Sequence, residues 1–148
     1  MRHQPINPET LGAPRGYANG VLAAPGRLLF VAGQIAWNAD NELVSDAFAP
    51  QFKQALTNVI EVVKAAGGAP TDICRLTMYT TDKAAYQSSL SAVGQAYRSL
   101  MGKYFPAMAL VEVTALMEDG ALIEIEAAAV VPEAAKADED TDISKGRQ

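Results

Sequence analysis

An α+β domain, with a mixed sheet that carries two helices on one face, is the fold class the sequence predicts. Three observations predict it. The 148-residue length suits one compact domain. Hydrophobic spacing gives the element order β-β-α-β-α-β-β, and the last strand segment places carboxylates on one face only. With 49% apolar and 20% charged residues the composition is globular, which excludes a disordered or collagen-like chain. No uninterrupted apolar run reaches the ~18 residues a membrane span needs. The opening Met1-Arg2-His3-Gln4-Pro5 lacks the apolar signal core of ~7 residues or more, so a cytoplasmic location is expected. A formal charge of −5 argues against a large nucleic-acid footprint. Cys74 is the single cysteine and His3 the single histidine, too few for an internal disulfide or a zinc site.

Taken in chain order, Val21-Leu22 and Leu28 to Ala32 are short apolar runs around Pro25-Gly26, the pattern of a hairpin. Phe48, Phe52, Ala55, Leu56, Val59, Ile60 and Val63 follow helical spacing; Ser45 or Asp46 can cap the start, and Gly67-Gly68 ends it. Ile73 to Thr80 alternates as a strand, with Cys74, Leu76 and Met78 on one side. Asp82 then caps a second helix to about Lys103, striped by Tyr86, Leu90, Val93, Tyr97 and Leu100 and closed by Pro106. Two strands remain, Ala107 to Leu116 and Ala121 to Val131, joined at Glu118-Asp119-Gly120. From Pro132 the chain turns acidic and poor in large aliphatic residues. The domain is therefore expected to span residues 1–131, with residues 132–148 a solvated tail.

The last strand packs Ile123, Ile125, Ala127, Ala129 and Val131 under the helices and turns Leu122, Glu124, Glu126, Ala128 and Val130 the other way. The preceding strand is expected to add Met108, Leu110 and Glu112 to that second face. Three carboxylates would then sit among exposed apolar residues. A second protomer covering the face accounts for both; a half-wet antiparallel face with scattered acids is the alternative. A carboxyl held at such an interface is a candidate proton carrier.

Several segments together resemble the RidA/YjgF family of enamine/imine deaminases. They are Tyr17-Ala-Asn-Gly20-Val21, Leu29-Phe-Val-Ala-Gly33-Gln34-Ile35, Gln54-Ala-Leu-Thr-Asn58-Val and Asp72 to Asp82. Phe105-Pro106-Ala107 followed by Leu110-Val-Glu112-Val113, and Ile123-Glu-Ile-Glu-Ala127, complete the set, so the similarity covers about residues 12–131. The resemblance implies a chorismate-mutase-like protomer, a homotrimer with ligand pockets at the subunit interfaces, and hydrolysis of 2-aminoacrylate-type imines without metal or organic cofactor. It also implies that Glu124 positions the attacking water and that Tyr17 lines the pocket. The family's arginine after Pro-Ala, which pairs with the substrate carboxylate, is replaced by Met108, and its frequent cysteine two positions later is Leu110. The chain thus reads as a divergent member that keeps the water-handling half of the site and lacks the usual anion clamp.

Arg15, two residues before Tyr17, and Arg75 are candidate replacement cations, each weighed against a solvated surface arginine. Trp37 can wall the pocket or simply pack. Cys74 is expected to be an inert core thiol, and His3 to lie in a frayed terminus. Three functions follow: a hydrolase for small enamines or imines with altered substrate recognition, a non-catalytic trimer binding a small apolar metabolite in the same pocket, or a scaffold trimer with a vestigial pocket. Glu124 and Tyr17 favour the first, Met108 and Leu110 the second.

Overall fold

The computed structural model describes residues 2–134. Strands β1 (Gln4–Ile6) and β2 (Gly20–Leu22) form a small antiparallel ribbon. Strands β3 (Arg27–Gln34), β4 (Ile73–Thr80), β5 (Ala107–Glu112) and β6 (Ile123–Val131) form the main sheet in the order β3-β6-β4-β5. Its β3–β6 and β6–β4 pairs are antiparallel and its β4–β5 pair is parallel, so the expected α+β class with a mixed sheet is observed. Helices α1 (Phe48–Ala65), α2 (Lys83–Ser88) and α3 (Leu90–Met101) complete the domain.

The core follows directly from two periodicities. On α1, Phe52, Leu56, Val59, Ile60 and Val63 recur at helical spacing and are buried. They meet Ile123, Ile125, Ala127 and Ala129 of β6, whose burial alternates residue by residue, with Val93, Ala96, Tyr97 and Met101 of α3 closing the cluster. Gln51 is buried among them and fully bonded: Nε2 donates to Ser45 O and Gly120 O, both at 2.9 Å, and Oε1 accepts from Leu122 N at 2.8 Å. One amide thereby ties the start of α1 to the approach of β6. Neither Ser45 nor Asp46 caps α1; its N-cap is Ala47, and Ser45 Oγ accepts the Ala47 N–H instead at 3.0 Å. At the other end Gly67, at φ 87°, donates its N–H to Lys64 O and stops the helix.

Several expectations are corrected. β2 does not form a hairpin with β3; it pairs with β1, Gln4 opposite Leu22. The N-terminal segment is ordered because its side chains are anchored. His3 is 2% exposed, with Nδ1 accepting from Ala24 N at 2.9 Å and Nε2 donating to Val130 O at 3.0 Å, and Arg2 pairs with Asp72 at 3.0 Å. The second helix is two helices broken at Ser89, where ψ opens to 10°, although Asp82 caps α2 as expected through Ala85 N at 2.9 Å. β5 and β6 are not neighbours: β4 lies between them. Because Met108 pairs with Leu76 and Leu110 with Met78, both buried under the helices, β5 turns Met108 and Leu110 toward the helical side. The expected shared face of Met108, Leu110, Glu112, Glu124 and Glu126 therefore does not exist. The expected tail falls, from residue 135 onward, outside the described residues.

Candidate functional site

The face of the sheet away from the helices carries the polar groups. Cross-strand pairing sets Tyr79 opposite Glu124, Thr77 opposite Glu126 and Arg75 opposite Ala128. The Tyr79 hydroxyl donates to Glu126 Oε1 at 2.8 Å, and that bond is the main reason its phenol titrates above the usual range. Partial desolvation and the charges of Glu126 and Glu124 push the same way, and Arg75 opposes them. Arg75, Thr77, Tyr79 and Glu126, with Phe30, line a shallow depression here. Glu124 lies against the backbone of β3: a Cβ built on Gly33 would come within 2.1 Å of Glu124 Oε1. The pairing of β3 with β6 is irregular between Val31 and Gln34, which is where the carboxylate rests.

Two clefts open beside β5. One, about 370 Å³, is lined by Tyr17, Ala18, Asn19, Arg75, Ala107 and Met108. It is reached by the loop before β2, which is pinned by an Ala18–Ala107 bridge and an Ala18 N–H bond to Pro106 O at 3.0 Å. The other, about 310 Å³, lies between α3 and β5 and is lined mainly by apolar side chains, including Met108 and Leu110, with Arg98 at its border. Met108 belongs to both.

The predicted residues are thus brought together only in part. Tyr17, Met108 and Arg75 share one cleft, and Met108 and Leu110 share the other. Glu124 stands on the opposite face of the sheet from Met108 and Leu110. Arg15 is exposed and Trp37 half-buried, and neither is among the residues lining the two clefts. Trp37 is held in the loop after β3, bridged to Leu43 and bonded through its carbonyl to Asn58 Nδ2 at 2.9 Å. Cys74 is not on the core side with Leu76 and Met78. A register shift between Ile73 and Arg75 puts Ile73 into the core and leaves Cys74 half-buried, with burial raising its thiol pKa. Sequence pattern gives no signal for Arg98, which reads as an ordinary base in the last turn of an amphipathic helix. Among the described residues no group of three or more His, Cys, Asp or Glu side chains is placed to hold a metal ion, and no helix is long and apolar enough to cross a membrane.

The profile of the endoribonuclease L-PSP family matches residues 9–131. The 2-iminobutanoate/2-iminopropanoate deaminase of Capra hircus is 36% identical over 115 residues, covering 77% of this chain and 79% of that protein. The human protein of the same name is 35% identical over 120 residues, covering 80% and 82%. A Rid-family protein of unknown function from Yersinia pestis superposes with a TM-score of 0.79 at 37% identity, over 88% of this chain and 100% of that one.

Proposed function

The chain belongs to the endoribonuclease L-PSP family, the RidA/YjgF proteins with their chorismate-mutase-like α+β fold, and from that premise we propose that it hydrolyses small reactive enamines or imines to carbonyl compounds and ammonia. The observation that carries the reading is the carboxylate of Glu124, seated on Gly33 so closely that no side chain fits beneath it. A carboxylate fixed in this way can orient a water and accept its proton. Water adds to the imine carbon, the C=N π pair moves to nitrogen, and nitrogen takes up a proton. Collapse of the carbinolamine forms the C=O bond and expels ammonia, so the net change is imine plus water to carbonyl plus ammonia. Glu124 first accepts and then returns the proton.

Met108 and Leu110 cannot join Glu124 in a pocket of one chain, since the sheet lies between them. A shared pocket needs the helical-side cleft of one copy to meet the open sheet face of another, which supports the homotrimer with ligand sites at its interfaces. Tyr17 is assigned to substrate binding from the cleft it shares with Met108, next to the cleft that Met108 shares with Leu110, and Trp37 and Arg15 to the surroundings. No cofactor enters this chemistry. A cytoplasmic setting fits a chain whose single cysteine, Cys74, is a free thiol.

The test generates imines from several amino acids with an oxidase in the presence of semicarbazide, and reads enzyme action as lost semicarbazone. Faster loss than in buffer, slowed about 100-fold or more by Glu124→Gln, is expected. No acceleration, or an unslowed variant, overturns the reading. A second reading, a non-catalytic metabolite-binding trimer, is favoured by the apolar pair Met108 and Leu110; it predicts ligand binding with no semicarbazone loss.

A further inference from the structure

The α3/β5 cleft combines features that the imine chemistry alone does not explain. Its walls are apolar, formed by Phe52, Tyr86, Val93, Met108 and Leu110 among others, and among the described residues Arg98 is the only charged one in its lining. Arg98 forms no ion pair among the described residues. Its guanidinium folds back along α3 onto Gly94, one turn earlier: a Cβ there would stand 3.4 Å from Nη1 and 3.9 Å from Nη2. The planar cation lies at the mouth of the cleft, in van der Waals reach of position 94, with no hydrogen-bond or ion-pair partner among the described residues. A guanidinium beside an apolar recess is complementary to a carboxylate attached to an apolar body. The recess of about 310 Å³ is far larger than a methyl group needs and matches the lower end of small-molecule pockets.

We infer that this cleft binds a small monocarboxylate with a branched or aromatic apolar body, the carboxylate held by Arg98 from the helix and the body seated over Met108 and Leu110. The inference deepens the hydrolase reading by naming its substrate class, and rests on it only in that the bound acid would be substrate or product. Binding itself is measurable without turnover.

The experiment is calorimetric titration of the full chain with 4-methyl-2-oxopentanoate, with pyruvate, which lacks the body, and with 4-methyl-2-pentanone, which lacks the carboxylate. The branched acid should bind at least tenfold more tightly than either. Arg98→Gln should weaken the acid at least tenfold and leave the ketone unchanged, and Arg98→Lys should recover part of the loss. Arg98 is exposed, so these changes leave the core intact. Equal binding of acid and ketone, equal binding of pyruvate, no detectable binding at millimolar concentration, or an indifferent Arg98→Gln overturns the inference. Turnover that still depends on Glu124 alongside any of these results leaves the hydrolase reading standing. Arg98-dependent binding without turnover does the reverse.

Discussion

Gly33 and Glu124 constrain each other, because a Cβ on the glycine would overlap the carboxylate at 2.1 Å from Oε1. Gly33 is exposed and its φ is not positive, so alanine is compatible with the backbone there. Gly33→Ala should therefore leave the melting temperature within about 3 °C, a change of no more than about 1 kcal/mol for a domain of this size, while lowering imine hydrolysis at least tenfold by displacing Glu124. Thermal melts beside the semicarbazone assay check both halves. Normal activity in a folded Gly33→Ala protein would show that the carboxylate position does not matter. Met108→Arg belongs to the same scale. Its new guanidinium would enter a cleft that Arg98 already borders, and like charges in a partly desolvated recess oppose each other. On the imine of alanine, the double change Met108→Arg with Arg98→Gln should exceed the single change by about tenfold, roughly 1.4 kcal/mol of transition-state stabilisation. Kinetics of the four-member cycle measure that coupling.

Elements were legible in the sequence where one face alone is apolar. The stripe on α1 and the alternation of β6 point to the core residues that the structure buries. β5 was not legible in the same way: Met108 and Leu110 on one side and Ala109 and Val111 on the other are all apolar, so only its parallel register with β4 decides which side meets the helices. Because that strand is undetermined, the sequence pattern alone puts the site residues on one face, whereas they occupy two. The β1–β2 ribbon has no sequence signal, because its order comes from contacts of His3 and Arg2 with distant backbone groups and Asp72, which no local pattern encodes. Gln51 gives a testable measure of such long-range ties. Gln51→Leu keeps the volume but strands Ser45 O, Gly120 O and Leu122 N, which should cost about 2–4 kcal/mol in denaturant unfolding. The junction of α3 with β5 has a pH signature. Tyr97 donates to Tyr104 O at 2.6 Å, and Tyr104 donates to Ile73 O. Burial pushes the Tyr104 phenol up to about 12, helped by Cys74 and Asp72, and raises Tyr97 further. Because the folded values lie above the unfolded value near 10, the unfolded chain loses protons first. The contribution is therefore complete below pH ~10 and is lost as pH rises toward about 12. Denaturant midpoints that are flat to pH ~10 and then fall, with a shallower fall in Tyr104→Phe, are expected; equal slopes would refute the assignment.

At the scale of the whole molecule, the open face of the sheet is the feature least suited to an isolated chain. Phe30 is 76% exposed and Leu28 61% exposed, side by side on β3 and paired across to Ala128 and Val130 of β6. Burying side chains of this size against a neighbour is worth ~1.5–3 kcal/mol each per copy. The polar groups between them are already partly satisfied, since Tyr79 binds Glu126. The face can therefore be covered without leaving all of its charges bare. A homotrimer in which each copy lays this face toward its neighbours also lets the helical-side cleft of one subunit approach Glu124 of the next, the arrangement the proposed chemistry needs. Sedimentation equilibrium at micromolar concentration should accordingly give three times the 15.7 kDa chain mass. Phe30→Asp places a charge in the apolar part of the contact and leaves the opposite, helix-covered core untouched. It should shift the protein toward monomer with its circular dichroism unchanged, and hydrolysis should fall in step with the trimer fraction. A wild-type monomer, or a Phe30→Asp protein that stays trimeric, would remove this face from the assembly; a monomer with full activity would remove the shared pocket.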